Sequence, residues 1–300
     1  MRARAPGKLV LSGAYSVLHG APALVAAVDR FVVADSAWPA SFVTDEVAEA
    51  VRRGLVAGPC GFDAKQLREP TADGGSRKLG LGSSAAILVA SMALGLTDVM
   101  DDGSRLGARI FPDALDVHRK VQGGGSGVDV AASCFGGTLV CRAREQLLDV
   151  QPIALPGVTL EAWACTTSAS TSDMLGKVRA FGASEPVRHR ALMNRAREGA
   201  EAAVLATSGG GFIDAIDAQR SALLELGRCA TAPIVTEEVA VLHELARAEG
   251  AVLYPAGAGG GDIALYVGER PSSDALRARA SALGVVPLGL RFGAPGVELG

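Results

Sequence analysis

The residues best suited to chemistry are small ones set at the mouth of an apolar run. Gly80-Leu81-Gly82-Ser83-Ser84-Ala85-Ala86 leads directly into Ile87-Leu88-Val89-Ala90. Glycines let the backbone approach an anion closely, and the free N–H groups and dipole of a helix start stabilise phosphate. The serine hydroxyls add donors, or an oxygen ligand for a phosphate-bound Mg2+. A plain small-residue helix cap has the same local pattern, so the run alone fits either reading. It is not a Walker loop, because no Lys-Ser/Thr pair follows, and it lacks the G-x-G-x-x-G spacing of dinucleotide sites. Three more glycine segments carry polar residues: Pro6-Gly7-Lys8 with Gly13, Gly123-Gly124-Gly125-Ser126-Gly127-Val128-Asp129, and Gly257-Ala258-Gly259-Gly260-Gly261-Asp262. Taken singly, Lys8 reads as a surface lysine before a strand, and Asp129 as a turn or helix-cap residue.

The elements that must hold these segments can be read from apolar periodicity. Strands are predicted over 9–17, 23–33, 138–141, 159–166, 252–254 and 263–267. Helices are predicted over 44–57, 84–99, 113–122, 191–207, 212–227, 236–248 and 273–282. Ser83 or Ser84 is expected to cap its helix, and Thr236, ahead of Glu237 and Glu238, to cap another. Strand and helix blocks mix without a strict βαβ repeat, which favours α+β over a doubly wound sheet. Residues 149–158, with Pro152 and Pro156, are the expected boundary between two halves, 1–155 and 156–300.

Composition narrows the function classes. The chain has 300 residues, 49% hydrophobic and 20% charged, with a net charge of −3. That excludes a disordered chain and a nucleic-acid binder working by bulk charge. Mean hydropathy is +0.27, yet Ser91, Gly95 and Asp98 interrupt the longest apolar run. It falls short of the roughly 18 apolar residues of a membrane span. The N-terminus lacks a small-x-small cleavage site and reads as a buried strand rather than a signal peptide. Five scattered cysteines without a CxxC pair point to reduced thiols in a cytoplasmic protein. His19 reads as a turn residue, His189 as part of a solvated basic face, and Tyr254 as packing. His243-Glu244 lacks the second histidine of a zinc protease. Glycine, at 38 residues, exceeds the usual share of about 7%, and it concentrates at the four segments beside apolar stretches.

In order, Pro6-Gly7-Lys8, Gly80 to Ala86 and Gly257 to Asp262 resemble the three signatures of the GHMP kinases, which phosphorylate small metabolites. Within that family Ala5 to Leu24 is similar to the mevalonate and phosphomevalonate kinase branch. Tyr15, where mevalonate kinases usually have His, leans towards the phosphomevalonate enzymes. So do His118 to Ala132, and Thr167-Ser168-Ala169-Ser170-Thr171 with Lys177. The resemblance implies a two-domain α+β GHMP kinase fold. Its N-terminal half resembles the second domain of ribosomal protein S5, its C-terminal half is ferredoxin-like, and ATP and substrate lie between.

It further implies transfer of the ATP γ-phosphoryl group, with Mg2+, to phosphomevalonate. Mevalonate is the alternative acceptor, and a catalytically weak metabolite-binding protein is the reading of a different class. By the same resemblance Lys8 bridges the transferring group and the acceptor. Gly80, Leu81, Gly82, Ser83, Ser84 and Ala85 wrap the ATP phosphates, with Ser84 touching Mg2+. Asp129 matches the carboxylate that acts on the acceptor hydroxyl in mevalonate kinases. Tyr15, Ser126, Gly127, Ser168, Ser170, Thr171, Lys177, Gly257, Gly259, Gly260 and Asp262 line the substrate pocket. Arg119 and Lys120 are further cations, expected on a solvated helix surface. Two departures from the resemblance stand out: Ala14 follows Gly13 where many relatives have Glu, and the acidic metal ligand that mevalonate kinases place upstream of the catalytic Asp falls here near His118. An imidazole does not replace a carboxylate on hard Mg2+. The expected protein is a cytoplasmic monomer or homodimer without nucleic-acid or membrane partners.

Overall fold

The first strand alternates exposed Arg2 and Arg4 with buried Ala3 and Ala5, then becomes buried on both faces as it runs beneath the helices. In a computed structural model the described residues are all of 1–300 except 71–74, 97–102, 145–146 and 168–169. The strand, β1 (Arg2–Ser12), pairs along its length with β2 (Ala23–Asp35) in an antiparallel hairpin. The register slips at Pro6/Gly7, where a proline has no N–H for the ladder. β1 begins earlier and ends sooner than its apolar pattern predicts. Gly13 and Tyr15 adopt φ of 84° and 62° and turn the chain into a short 3-10 turn, Ser16–His19.

Next come α1 (Asp45–Arg52), β3 (Gly61–Asp63), β4 (Arg68–Pro70), β5 (Ser76–Lys78), α2 (Ser83–Ala93), α3 (Gly103–Gln122) and α4 (Val128–Phe135). After β6 (Thr138–Arg144), β7 (Leu147–Pro152) and β8 (Thr159–Ala164) stand α5 (Thr171–Ser184), α6 (Pro186–Leu205), α7 (Gly209–Cys229) and α8 (Glu237–Ala248). The chain closes with β9 (Val252–Pro255), β10 (Ile263–Gly268), α9 (Asp274–Ala282), β11 (Val286–Pro287) and β12 (Glu298–Leu299). One antiparallel sheet has the order β12-β1-β2-β6-β7, with β3 also on β2; a second has the order β11-β8-β10-β9. This is the expected α+β class. The last residues return to the first sheet, where Ala3 faces Leu299. One apolar cluster joins Leu9, Leu24, Leu88 and Ile110 to Phe212, Ile216, Val252 and Leu265.

Several elements differ from the periodicity reading for physical reasons. α3 starts ten residues early, and Leu106, Ile110, Ala114 and Val117 keep one buried stripe across its internal Pro112. α5 carries Gly176 and Gly182 and little apolar pattern, so its helical signal is weak. β7 occupies part of the expected linker as a strand bonded on one side only, where Pro152 is tolerated. Neither Ser83 nor Ser84 caps α2. Gly82, at φ 75° and ψ 35°, is its N-cap, and both serines lie inside the first turn. Thr236 is an N-cap without a side-chain hydrogen bond. The predicted helix end at 97–99 lies outside the described residues. The five cysteines are unpaired, and among the described residues no helix is long and apolar enough to cross a membrane.

The end of β1 is tied to the C-terminal half. Gln219 of α7 accepts from Ser12 Oγ at 2.9 Å and from the Gly13 N–H at 2.8 Å, and the Tyr254 hydroxyl donates to the Leu11 carbonyl. Gln219→Leu strands two buried donors, at about 1–3 kcal/mol each. Urea unfolding should therefore show a lower midpoint at unchanged slope; a variant as stable as the parent would contradict this anchoring.

Candidate active site

Three of the glycine segments meet at Lys8. The Lys8 backbone N–H donates to the Leu81 carbonyl at 2.9 Å, and its Nζ donates to the Gly80 carbonyl at 3.2 Å. This approach depends on Gly82. A Cβ there would lie 3.1 Å from both Cγ and Cε of Lys8 and 3.5 Å from the Asp129 Cβ, at a positive φ that side chains resist. A Cβ on Gly80 would stand 3.1 Å from the Asp262 carboxylate. Sequence positions 8, 80–82, 129 and 262 thus occupy one small volume.

Burial pulls the Lys8 ammonium below its ordinary range, and the charges of Asp129 and Asp262 offset this only in part. Asp129 feels the opposite balance. Burial favours its neutral form, but His118, Lys8 and the Val130 N–H together hold its carboxyl at about 2. His118 Nε2 lies 3.1 Å from Asp129 Oδ2. Ser133 Oγ donates to the Pro6 carbonyl at 2.9 Å and fastens α4, which carries Asp129, to β1.

Beyond Lys8 opens a cleft of about 670 Å³. Its walls hold eight of the predicted site residues: Lys8, Tyr15, Ser126, Gly127, Asp129, Ser170, Thr171 and Gly257. Tyr15 crosses the cleft, donating from its hydroxyl to the Ala258 carbonyl at 2.6 Å. Ser170 caps α5 by accepting from the Asp173 N–H at 3.4 Å. Gly80, Leu81, Gly82, Ser83, Ser84 and Ala85 lie on the other side of Lys8, at the start of α2. The helix is eleven residues long, and its first N–H groups have no intrahelical partner. Gly259 and Gly260 lie outside the cleft wall. Their backbone packs on Ile234, whose carbonyl accepts from the Gly260 N–H at 3.2 Å. Asp262 sits against Gly80, and Ser168 lies outside the described residues.

Lys177 lies apart from the other predicted residues of its segment. It is exposed and absent from the cleft wall, whereas Thr171, Leu175 and Arg179 line it. Residues four apart share a helix face, and position 177 is about 200° round from 175. Arg119 also differs from a purely solvated cation, since it donates to the Ser126 carbonyl at 3.3 Å and steadies the 123–127 loop. Lys120 is exposed as expected. His189 packs edge-on to His19 and Phe181. The sequence reading missed Gln122, Ser172, Leu175 and Arg179. The i, i+4 spacing from Thr171 could have found the last two once a helix was assigned there.

A glycine turn at a helix start, a half-buried lysine and a carboxylate beside a cleft are an arrangement able to hold an anion. The fold agrees. The structure superposes on a Streptococcus pneumoniae phosphomevalonate kinase, in complex with phosphomevalonate and AMPPNP, with a TM-score of 0.77 at 19% identity, covering 97% of this chain and 99% of that one. In sequence the chain is 28% identical to a mevalonate kinase of Archaeoglobus fulgidus over 90% of its length and 94% of the relative's. It is equally 28% identical to a phosphomevalonate kinase of a Streptomyces species, covering 95% of both. No protein-family model matches the chain. The chain has the GHMP kinase fold, and its relatives in sequence are mevalonate and phosphomevalonate kinases.

As pH rises, Lys8 should lose its proton below the ordinary lysine range, because desolvation lowers its pKa. Lysine 13Cε NMR titration should show one resonance with a midpoint below the ordinary 10.5, missing in Lys8→Met. An ordinary midpoint for that resonance would refute the desolvated placement of Lys8.

Proposed function

We propose that the chain is an ATP-dependent small-molecule kinase whose acceptor is phosphomevalonate, giving diphosphomevalonate. The observation that carries this reading is the meeting of the Gly80–Gly82 turn, Lys8 and Asp129 at one end of the cleft. Nucleotide phosphates would lie on the free N–H groups at the start of α2, and the acceptor in the cleft, with Lys8 between the two. Phosphoryl transfer depends chiefly on positioning and charge neutralisation, which a partly desolvated cation supplies. The residues fit a Mg2+ held mainly by the nucleotide's own phosphates. Ser84 would contribute its hydroxyl oxygen, and the ion would neutralise phosphate charge. Among the described residues no three His, Cys, Asp or Glu side chains form a metal-holding group of their own.

The charge of Asp129 supports the phosphate acceptor over the hydroxyl. A general base works best near the operating pH, whereas Asp129 is held at about 2 and already engaged by His118. A hydroxyl acceptor gains little from so weak a base. A phosphate acceptor is ionised beforehand and needs cationic cover. Arg179, on the cleft wall, forms no ion pair among the described residues and can supply part of it. The presence of Asp129 beside Lys8 favours mevalonate as the second reading, since the same carboxylate can still orient a hydroxyl.

The deciding assay is ADP release with ATP and Mg2+, offering phosphomevalonate, mevalonate, homoserine and galactose separately. Turnover with phosphomevalonate is expected; turnover with mevalonate alone would overturn the first choice. Nucleotide binding without turnover on any of the four would make the protein a metabolite-binding member of the fold. Lys8→Met should slow turnover by about 10²–10³-fold. Asp129→Asn should slow turnover of phosphomevalonate less than about tenfold; a loss of about 10²–10⁴-fold, the size of general-base catalysis, would favour the hydroxyl acceptor.

A further inference from the structure

His118 is surrounded by acids in the structure. It lies on the last turns of α3, with a side chain only 8% exposed. Nε2 is 3.1 Å from Asp129 Oδ2 on α4. On the opposite edge of the ring, Nδ1 is 3.8 Å from Glu46 Oε1 on α1, a carboxylate 4% exposed. Glu46 also accepts from Gln122 Nε2 at 2.7 Å, which fixes its orientation. Nδ1 is buried and has no hydrogen-bond partner.

A neutral imidazole carries one N–H. If Nε2 donates to Asp129, a neutral ring turns the Nδ1 lone pair towards a second buried carboxylate, which is repulsive. A protonated ring presents a proton to each acid. The groups facing the ring are Asp129 from α4, Glu46 from α1 and Lys8 from β1. Burial and Lys8 oppose the charge, but the hydrogen bond and charge of Asp129, with the charge of Glu46, outweigh them and raise the His118 pKa.

We propose that His118 is a positioning residue, held as an imidazolium between Glu46 and Asp129, which aims the Asp129 carboxylate at the cleft while Glu46 secures the ring from behind. The role in turnover rests on the reading above, in which Asp129 faces the acceptor; the charge and orientation of the ring do not. Glu46 is outside the cleft wall, so it acts on the site only through the histidine. As pH rises through the His118 midpoint the ring loses a proton, the clamp on Asp129 weakens, and turnover should fall along an alkaline limb set by this residue.

The test is long-range 1H–15N NMR of the histidine rings in the free protein, assigned with His118→Asn. Both ring nitrogens of His118 should be protonated at pH 6.5, with a midpoint above the ordinary value of about 6.5. Glu46→Gln should lower that midpoint by about one pH unit and move the alkaline limb of kcat down by the same amount, leaving the KM for ATP within twofold. A neutral ring at pH 6.5, or a midpoint indifferent to Glu46→Gln, overturns the proposal. If that variant fails to fold, the parent spectrum alone decides it, through the protonation of Nδ1. Absence of turnover with every acceptor would refute the proposed function while leaving the NMR result to stand or fall separately.

Discussion

Partly desolvating the ammonium of a lysine on an inner strand requires compensation that no neighbour in sequence supplies. Lys8 finds it in the Gly80 carbonyl and in Asp129 and Asp262, which arrive from three distant parts of the chain. The compensation is incomplete, since desolvation still outweighs the two carboxylates. A cation left short of negative charge in a desolvated place is complementary to a polyanion. The structure around Lys8 therefore follows from one constraint: β1 must be central and buried, yet open at one side chain to the cleft.

That constraint explains where glycine is required. At Gly82 the backbone turns through a left-handed conformation and lies against the Lys8 side chain, so a methyl group would displace the residue the turn has to reach. The same turn places Ser83 inside the helix instead of at its cap. The hydroxyls of Ser83 and Ser84 are then not spent on capping α2.

Asp129 and His118 link the cleft to the layer behind it. The pair lies between α3 and α4, with Glu46 of α1 closing the back. A carboxylate held at about 2 by a histidine and a lysine is an orienting charge more than a base. The histidine faces two carboxylates, Glu46 and Asp129, from opposite edges of its ring.

The motif positions were legible in the sequence because glycine and apolar periodicity are local signals. Residues 80–86 announce a helix start whatever lies around them, and the α+β class follows from the mixture of periods. The resemblance of three segments in order pointed to the kinase relatives that the whole-chain similarities now include. What local signals do not carry is which faces meet. Lys177 and Arg179 are both basic residues on one helix, and only the packing of α5 decides which turns to the cleft. Glu46 is separated from His118 by 72 positions and carries no motif. Its pairing exists because α1 and α3 pack together, and the cost of burying charge makes the carboxylate and the imidazole seek each other. The sequence by itself determined the segments able to bind an anion. The tertiary structure decided which charges surround them, because compensation of a buried charge depends on distance in space and not on separation along the chain.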